Sequence, residues 1–187
     1  MNYKLRLLIA SNGVQVFAAT LLIPIFALFI KDIGGGPELA GILFGVGFMS
    51  TAIANVCMIR IRDRLLLDVT LYKLGLVIKI AGWTLLAFHQ TIPMLVVAQV
   101  ILGISSAIGS PSFNSLISEN LDKKRHISEW SKWELTQNIA TALASAISGF
   151  VVVGFGFGWL FSLMAVGTAL ALVLVLGVTK RGRSRRL

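Results

Sequence analysis

The sequence predicts an all-α integral membrane protein with six transmembrane helices and both termini in the cytoplasm. Three observations predict it. Of 187 residues, 56% are hydrophobic and only 13% charged, about half the charged share of a soluble domain. Six apolar runs each come close to the roughly 20 residues that cross a hydrocarbon core. The cations also alternate along the chain. Lys4 and Arg6 precede the first run, and Arg60, Arg62, Arg64 and Lys73 lie between the second and third. Lys123, Lys124, Arg125 and Lys132 lie between the fourth and fifth, and Lys180, Arg181, Arg183, Arg185 and Arg186 follow the sixth. The remaining connections hold a single cation, Lys31. Cationic loops stay cytoplasmic, which sets the chain in a plasma (inner) membrane as a multi-pass protein. The anionic lipid of the inner leaflet is then the counter-charge for the net +9. Because the cations cap apolar runs instead of sharing one face, no nucleic acid partner is expected.

The spans are expected at 7–30, 39–59, 71–88, 92–117, 135–154 and 158–178. The first is longer than a signal peptide's apolar region and is interrupted by Ser11, Asn12, Gly13 and Gln15, so it reads as a retained helix. Gly34-Gly35-Gly36-Pro37, the His89–Thr91 stretch with Pro93, and Gly154–Gly158 form short outer links. Glycine and proline stop helices there, making spans 1–2, 3–4 and 5–6 antiparallel neighbours. The charged 119–134 loop contains Trp130 and Trp133, three apart, and part of it is expected to form a short interfacial helix at headgroup level. The bundle occupies 1–179, leaving 180–187 as a basic tail or the start of a linker.

Polar residues within the spans mark candidate pathways. On span 5, Glu134, Asn138, Thr141, Ser145 and Ser148 recur at steps of four and three, which places them on one face, with Gln137 beside them. Span 1 carries Asn12 and Gln15. Span 2 carries Ser50, Thr51 and Asn55. Span 4 carries Gln99, Ser105, Ser106, Ser110, Ser112, Asn114 and Ser115. In lipid such groups face a protein partner or a water-filled cavity, so spans 1, 2, 4 and 5 are expected to surround the pathway, with 3 and 6 outside. The competing reading for each Ser or Thr is a bond to its own helix or close packing. Gly41-x-x-x-Gly45 and Ser106-x-x-x-Ser110 are expected to allow close helix approach. Lys79 on span 3 has two readings, snorkelling to the inner surface or facing a cavity or partner. Cys57, the one cysteine, reads as a small packed side chain. No HExxH, CxxC, GxxxxGK[ST] or GxSxG pattern occurs, so neither catalytic residues, a metal nor another cofactor is expected, and the chain does not read as an enzyme.

Four stretches carry a family likeness. They are Phe29-Ile30-Lys31-Asp32-Ile33-Gly34 followed by Glu38-Leu39-Ala40-Gly41-Ile42-Leu43; Asp63-Arg64 in the second-to-third connection; Gln99 to Ala107 with Gly103; and Gly156-Phe157-Gly158-Trp159-Leu160-Phe161. With them the whole chain resembles the amino-terminal six-helix half of a major facilitator superfamily transporter. The resemblance implies a bundle of two inverted three-helix repeats, with helices 1 and 4 lining the pathway and 2 and 5 facing the other half. In that family a G-x-L-a-D-r-x-G-r-k loop acts as a conformational charge latch. Only Asp63 and Arg64 match it here, since Ile59 and Leu66 replace the glycines and Leu67-Asp68 the basic pair. Gln99 stands where proton-coupled members carry arginine. The expected substrate pathway comprises Asn12, Gln15, Gln99, Asn138, Thr141 and Ser145.

The resemblance implies a secondary transporter, or half of one, moving a small organic solute by alternating access. A second six-helix half is expected, from a chain of which this is a fragment, from a separate polypeptide, or from a second copy in a homodimer. The alternative is a non-transporting membrane interaction protein derived from such a half.

Overall fold

The computed structural model describes residues 3–62, 68–122 and 125–183. It is all-helical, with no strand among the described residues. The first span is α1 (Tyr3–Thr20), a 3-10 turn (Ile23–Ile25) and α2 (Phe26–Asp32). The expected continuous helix breaks because Pro24 has no N–H for the Thr20 carbonyl and its ring crowds that turn. Then follow α3 (Pro37–Arg62), α4 (Asp68–Phe88), α5 (Ile92–Asn120), α6 (His126–Phe155) and α7 (Phe157–Arg183). All six spans are long and apolar enough to cross a membrane.

The links are tight for backbone reasons. Gly156 alone joins α6 to α7, and its φ of 83° is a region that L side chains avoid. Gly34 does the same after α2 at φ 85°. At the opposite end α6 begins at His126 rather than 135, so Trp130 and Trp133 ride on its first two turns. The separate interfacial helix expected there does not form. Buried Glu129 fastens this end instead, one carboxylate oxygen accepting the Asp122 N–H at 2.9 Å.

Helix pairing follows an exchange rule. The α1 helix lies against α6 and α7, while α5 lies against α3 and α4, and α4 meets α7 across the middle. Exchanging the first three spans with the last three maps these contacts onto one another, as two repeats require. Two buried inter-helix bonds obey the same exchange. Ser11 Oγ donates to Ala171 O at 2.8 Å between spans 1 and 6. Ser105 Oγ donates to Gly75 O at 2.7 Å between spans 4 and 3.

On α3, close approach uses another glycine than the expected Gly41-x-x-x-Gly45. A Cβ at Gly41 or Gly45 would meet nothing within 4 Å. A Cβ at Gly103 would lie 2.7 Å from Gly47 O, and one at Gly75 2.8 Å from Gly109 Cα. Those contacts set the α3–α5 and α4–α5 spacings.

The apolar core divides in two. Leu5, Leu8, Leu76, Leu116, Ile117 and Val175 cluster at the end holding both termini. Phe29, Ile30, Trp83, Leu86, Phe157 and Phe161 cluster toward the other end, with Phe29 and Phe161 edge-to-face at 5.0 Å. Polar residues are concentrated between the clusters. Burial is also uneven: 6% of the apolar window of α3 and 17% of that of α6 is buried, against 33–44% in the other spans. These two helices therefore present long faces that touch nothing in this chain.

Candidate functional site: a polar cavity at mid-span

Between the two apolar clusters lies a cavity of about 350 Å³. The α1 helix contributes Asn12, Gln15 and Val16. Tyr72, Gly75, Leu76 and Lys79 come from α4, and Ser105, Gly109, Ser110, Phe113 and Asn114 from α5. Trp133 and Gln137 on α6 complete the described lining. Its walls are thus spans 1, 3, 4 and 5, not the expected 1, 2, 4 and 5. Span 3 enters because Gly75 lets α4 approach α5, turning Tyr72, Leu76 and Lys79, one helical face at steps of four and three, inward.

One polar contact in the cavity wall joins residues far apart in sequence. Trp133 Nε1 donates to Asn12 Oδ1 at 2.8 Å, linking α6 to α1. Trp133 also lies edge-on to Trp130, with ring centroids 4.7 Å apart, and 5.9 Å from Phe113. It therefore forms part of the cavity wall. The Tyr72 hydroxyl is buried without a hydrogen bond of good geometry. Pro111 interrupts the α5 ladder beside Ser110, freeing the Ala107 carbonyl. In a span such a break is tolerated where it borders a cavity or another helix.

Lys79 lines this cavity. It stands about 16 Å along α4 from Asp68 and about 13 Å from Phe88, at 1.5 Å per residue, close to the middle of the span. Placing a lysine there costs about 2.5–3.5 kcal/mol on insertion scales, and cavity walls are where such residues are found.

Of the expected pathway residues, Asn12 and Gln15 enter the cavity, at 7% and 8% exposure. Gln99 lies instead in a second groove of about 160 Å³ between α3 and α5, with Phe44, Gly47, Thr51 and Ser106. Asn138, Thr141 and Ser145 are exposed on the face of α6 turned away from the chain. Ser148 is buried and bonds Ser145 O at 3.0 Å. The local reading holds for several hydroxyls: Ser50 bonds Val46 O at 2.7 Å and Thr51 bonds Gly47 O at 2.9 Å. Asp63 and Arg64 lie outside the described residues. Tyr72 and Trp133 were missed by sequence reasoning. The spacing of Tyr72 from Lys79 was a usable signal, whereas Trp133 looked interfacial because it sits beside charges. No group of three or more His, Cys, Asp or Glu that could hold a metal ion occurs among the described residues.

The profile of the Major Facilitator Superfamily matches residues 8–187. The chain belongs to the Major Facilitator Superfamily. A search of curated proteins found no match. Among solved structures, the chain is similar to the POT family transporter PepTSo, with a TM-score of 0.84 at 17% identity. That alignment covers 97% of this chain and 38% of PepTSo, so the chain spans well under half of that protein's length. At this identity the likeness speaks for the fold: a multi-pass, six-helix membrane bundle of the superfamily.

Proposed function

We propose that this chain is one half of a secondary transporter that moves a small organic solute by alternating access. The mid-span cavity carries the reading. Its size is that of a small-molecule site, and it places amides, hydroxyls and one lysine between two apolar plugs. Membership of a transporter family and the likeness to a transporter structure support it.

A second six-helix half, in the same chain, in another chain or as a second copy, would cover α3 and α6, the least buried spans. The Asn138, Thr141 and Ser145 face of α6 then borders the route between halves, and Gln99 lies near its edge. The cation distribution supports a plasma-membrane setting with both ends cytoplasmic. Asp63 and Arg64 act as a reduced latch on that side.

The test needs no known solute. With Cys57 replaced by alanine, Asn138→Cys and Ser145→Cys are labelled in intact cells and in inverted vesicles with a membrane-impermeant maleimide. The second half is co-expressed. Alternating access predicts labelling from both sides for each position. Labelling from one side alone, for both, refutes the reading and favours a static interaction protein. Once a solute is found, Asn12→Ala, Gln15→Ala and Asn138→Ala lower flux at unchanged protein level.

A further inference from the structure

The cavity holds a charge that no described residue neutralises. Among the described residues, Lys79 is the only charged side chain lining it. Among the described residues no hydrogen bond or ion pair to Lys79 is formed. The acidic groups on the helices around it are all elsewhere. Asp68 lies at the far end of α4, and Glu119 lies near the end of α5, where it accepts from Ser115. On α6, Glu129 takes the Asp122 N–H, and Glu134 accepts from Trp130 Nε1 at 3.1 Å and is exposed. The α1 helix has no carboxylate.

A partly buried ammonium near the middle of an apolar span calls for an anion and for hydrogen bonds. The cavity can supply the rest of an anion's recognition. With Oδ1 engaged by Trp133, the Asn12 amide has N–H groups to donate. Gln15 and Ser110 line the same space. Phe113, Trp133 and Leu76 provide apolar and aromatic wall. That combination is asymmetric: one cation, neutral donors, and a surface for a carbon skeleton.

We propose that the cavity binds a small organic carboxylate, its anionic end paired with Lys79 and its body against Phe113 and Trp133. This names the solute class for the transport reading and rests on it. The binding step nevertheless needs only this chain, because every described lining residue comes from α1, α4, α5 and α6.

The experiment uses the full 187-residue chain in phosphatidylcholine nanodiscs, labelled with 5-fluorotryptophan. The four ¹⁹F resonances are assigned by single Trp→Phe changes. Sodium benzoate and the isosteric neutral benzamide are the probes. Benzoate should move the Trp133 resonance saturably, and benzamide should bind about tenfold to a hundredfold more weakly, the worth of a charge-assisted bond. Lys79→Gln should weaken benzoate by the same factor, and Lys79→Arg should retain binding.

Equal affinity for the two probes overturns the proposal. So does benzoate binding that survives Lys79→Gln, or a Trp133 resonance that benzoate leaves unmoved. Binding that disappears whenever the second half is reconstituted alongside overturns it too, because Lys79 then pairs with a carboxylate of that half. Benzoate binding without two-sided labelling of α6 leaves this proposal standing and defeats the transport reading, so the two fail separately.

Discussion

Replacing Gly75 with alanine probes how the cavity wall is held together. A Cβ there would lie 2.8 Å from Gly109 Cα, 3.0 Å from Gly109 N and 3.1 Å from Ser105 O. All three are backbone atoms, so no side chain can swing aside, and α4 must move off α5 by about 0.5–1 Å to reach ordinary carbon contact. Such overpacking costs about 1–3 kcal/mol. The Ser105 Oγ to Gly75 O bond, now 2.7 Å, lengthens in the same movement and adds about 0.6 kcal/mol. The expected destabilisation is therefore about 2–4 kcal/mol. The reciprocal change is mild, because a Cβ at Gly109 would meet Gly75 Cα at an ordinary 3.5 Å. Gly41→Ala meets nothing and serves as the control. Equilibrium unfolding in mixed micelles, titrated with sodium dodecyl sulfate and followed by far-UV circular dichroism, ranks the three. Gly75→Ala unfolding at the same detergent fraction as Gly41→Ala, or Gly109→Ala proving the worse of the pair, would refute the reasoning.

Three further outcomes follow from the same contacts. Ser11→Ala and Ser105→Ala each remove one buried inter-helix bond, so each should lower stability by about 0.6 kcal/mol and at most about 1.7 in the same unfolding assay. Because the two sites share no partner, the double variant should be additive within about 0.5 kcal/mol. Trp133→Phe and Asn12→Ala remove opposite ends of one 2.8 Å bond. A double-mutant cycle should therefore give a coupling of about 0.5–1.5 kcal/mol, and strict additivity would show the bond does not form. Glu129→Ala deprives the Asp122 N–H of its acceptor. The α5–α6 connection should then be cut faster by limited proteolysis at the 119–130 stretch, with the spans left intact.

Much of the architecture was legible along one dimension. Span number and order and the three short links follow from hydrocarbon thickness and from helix-stopping glycine and proline. Membership of the family was readable from four weak stretches in the right order. The Pro24 break was also written in the sequence, since proline has no donor for Thr20. The candidate site was only half legible. Asn12 and Gln15 announced themselves as amides in an apolar run. Asn138, Thr141 and Ser145 shared a face, but nothing in their spacing said that the face points away from the chain.

The α7 helix shows why. Leu163, Val166, Leu170 and Val173 are exposed, while Leu160, Met164, Ala171 and Val175 are fully buried, yet both stripes are equally apolar. In water, hydrophobic periodicity reveals the buried face because solvent penalises the other choice. In lipid the surroundings are as apolar as the core, and that signal vanishes. The sequence alone therefore determined what crosses the membrane and in which order. Only tertiary packing, set by the Gly75–Gly109 and Gly103–Gly47 approaches, decided that Lys79 faces a cavity and that the cavity wall includes span 3.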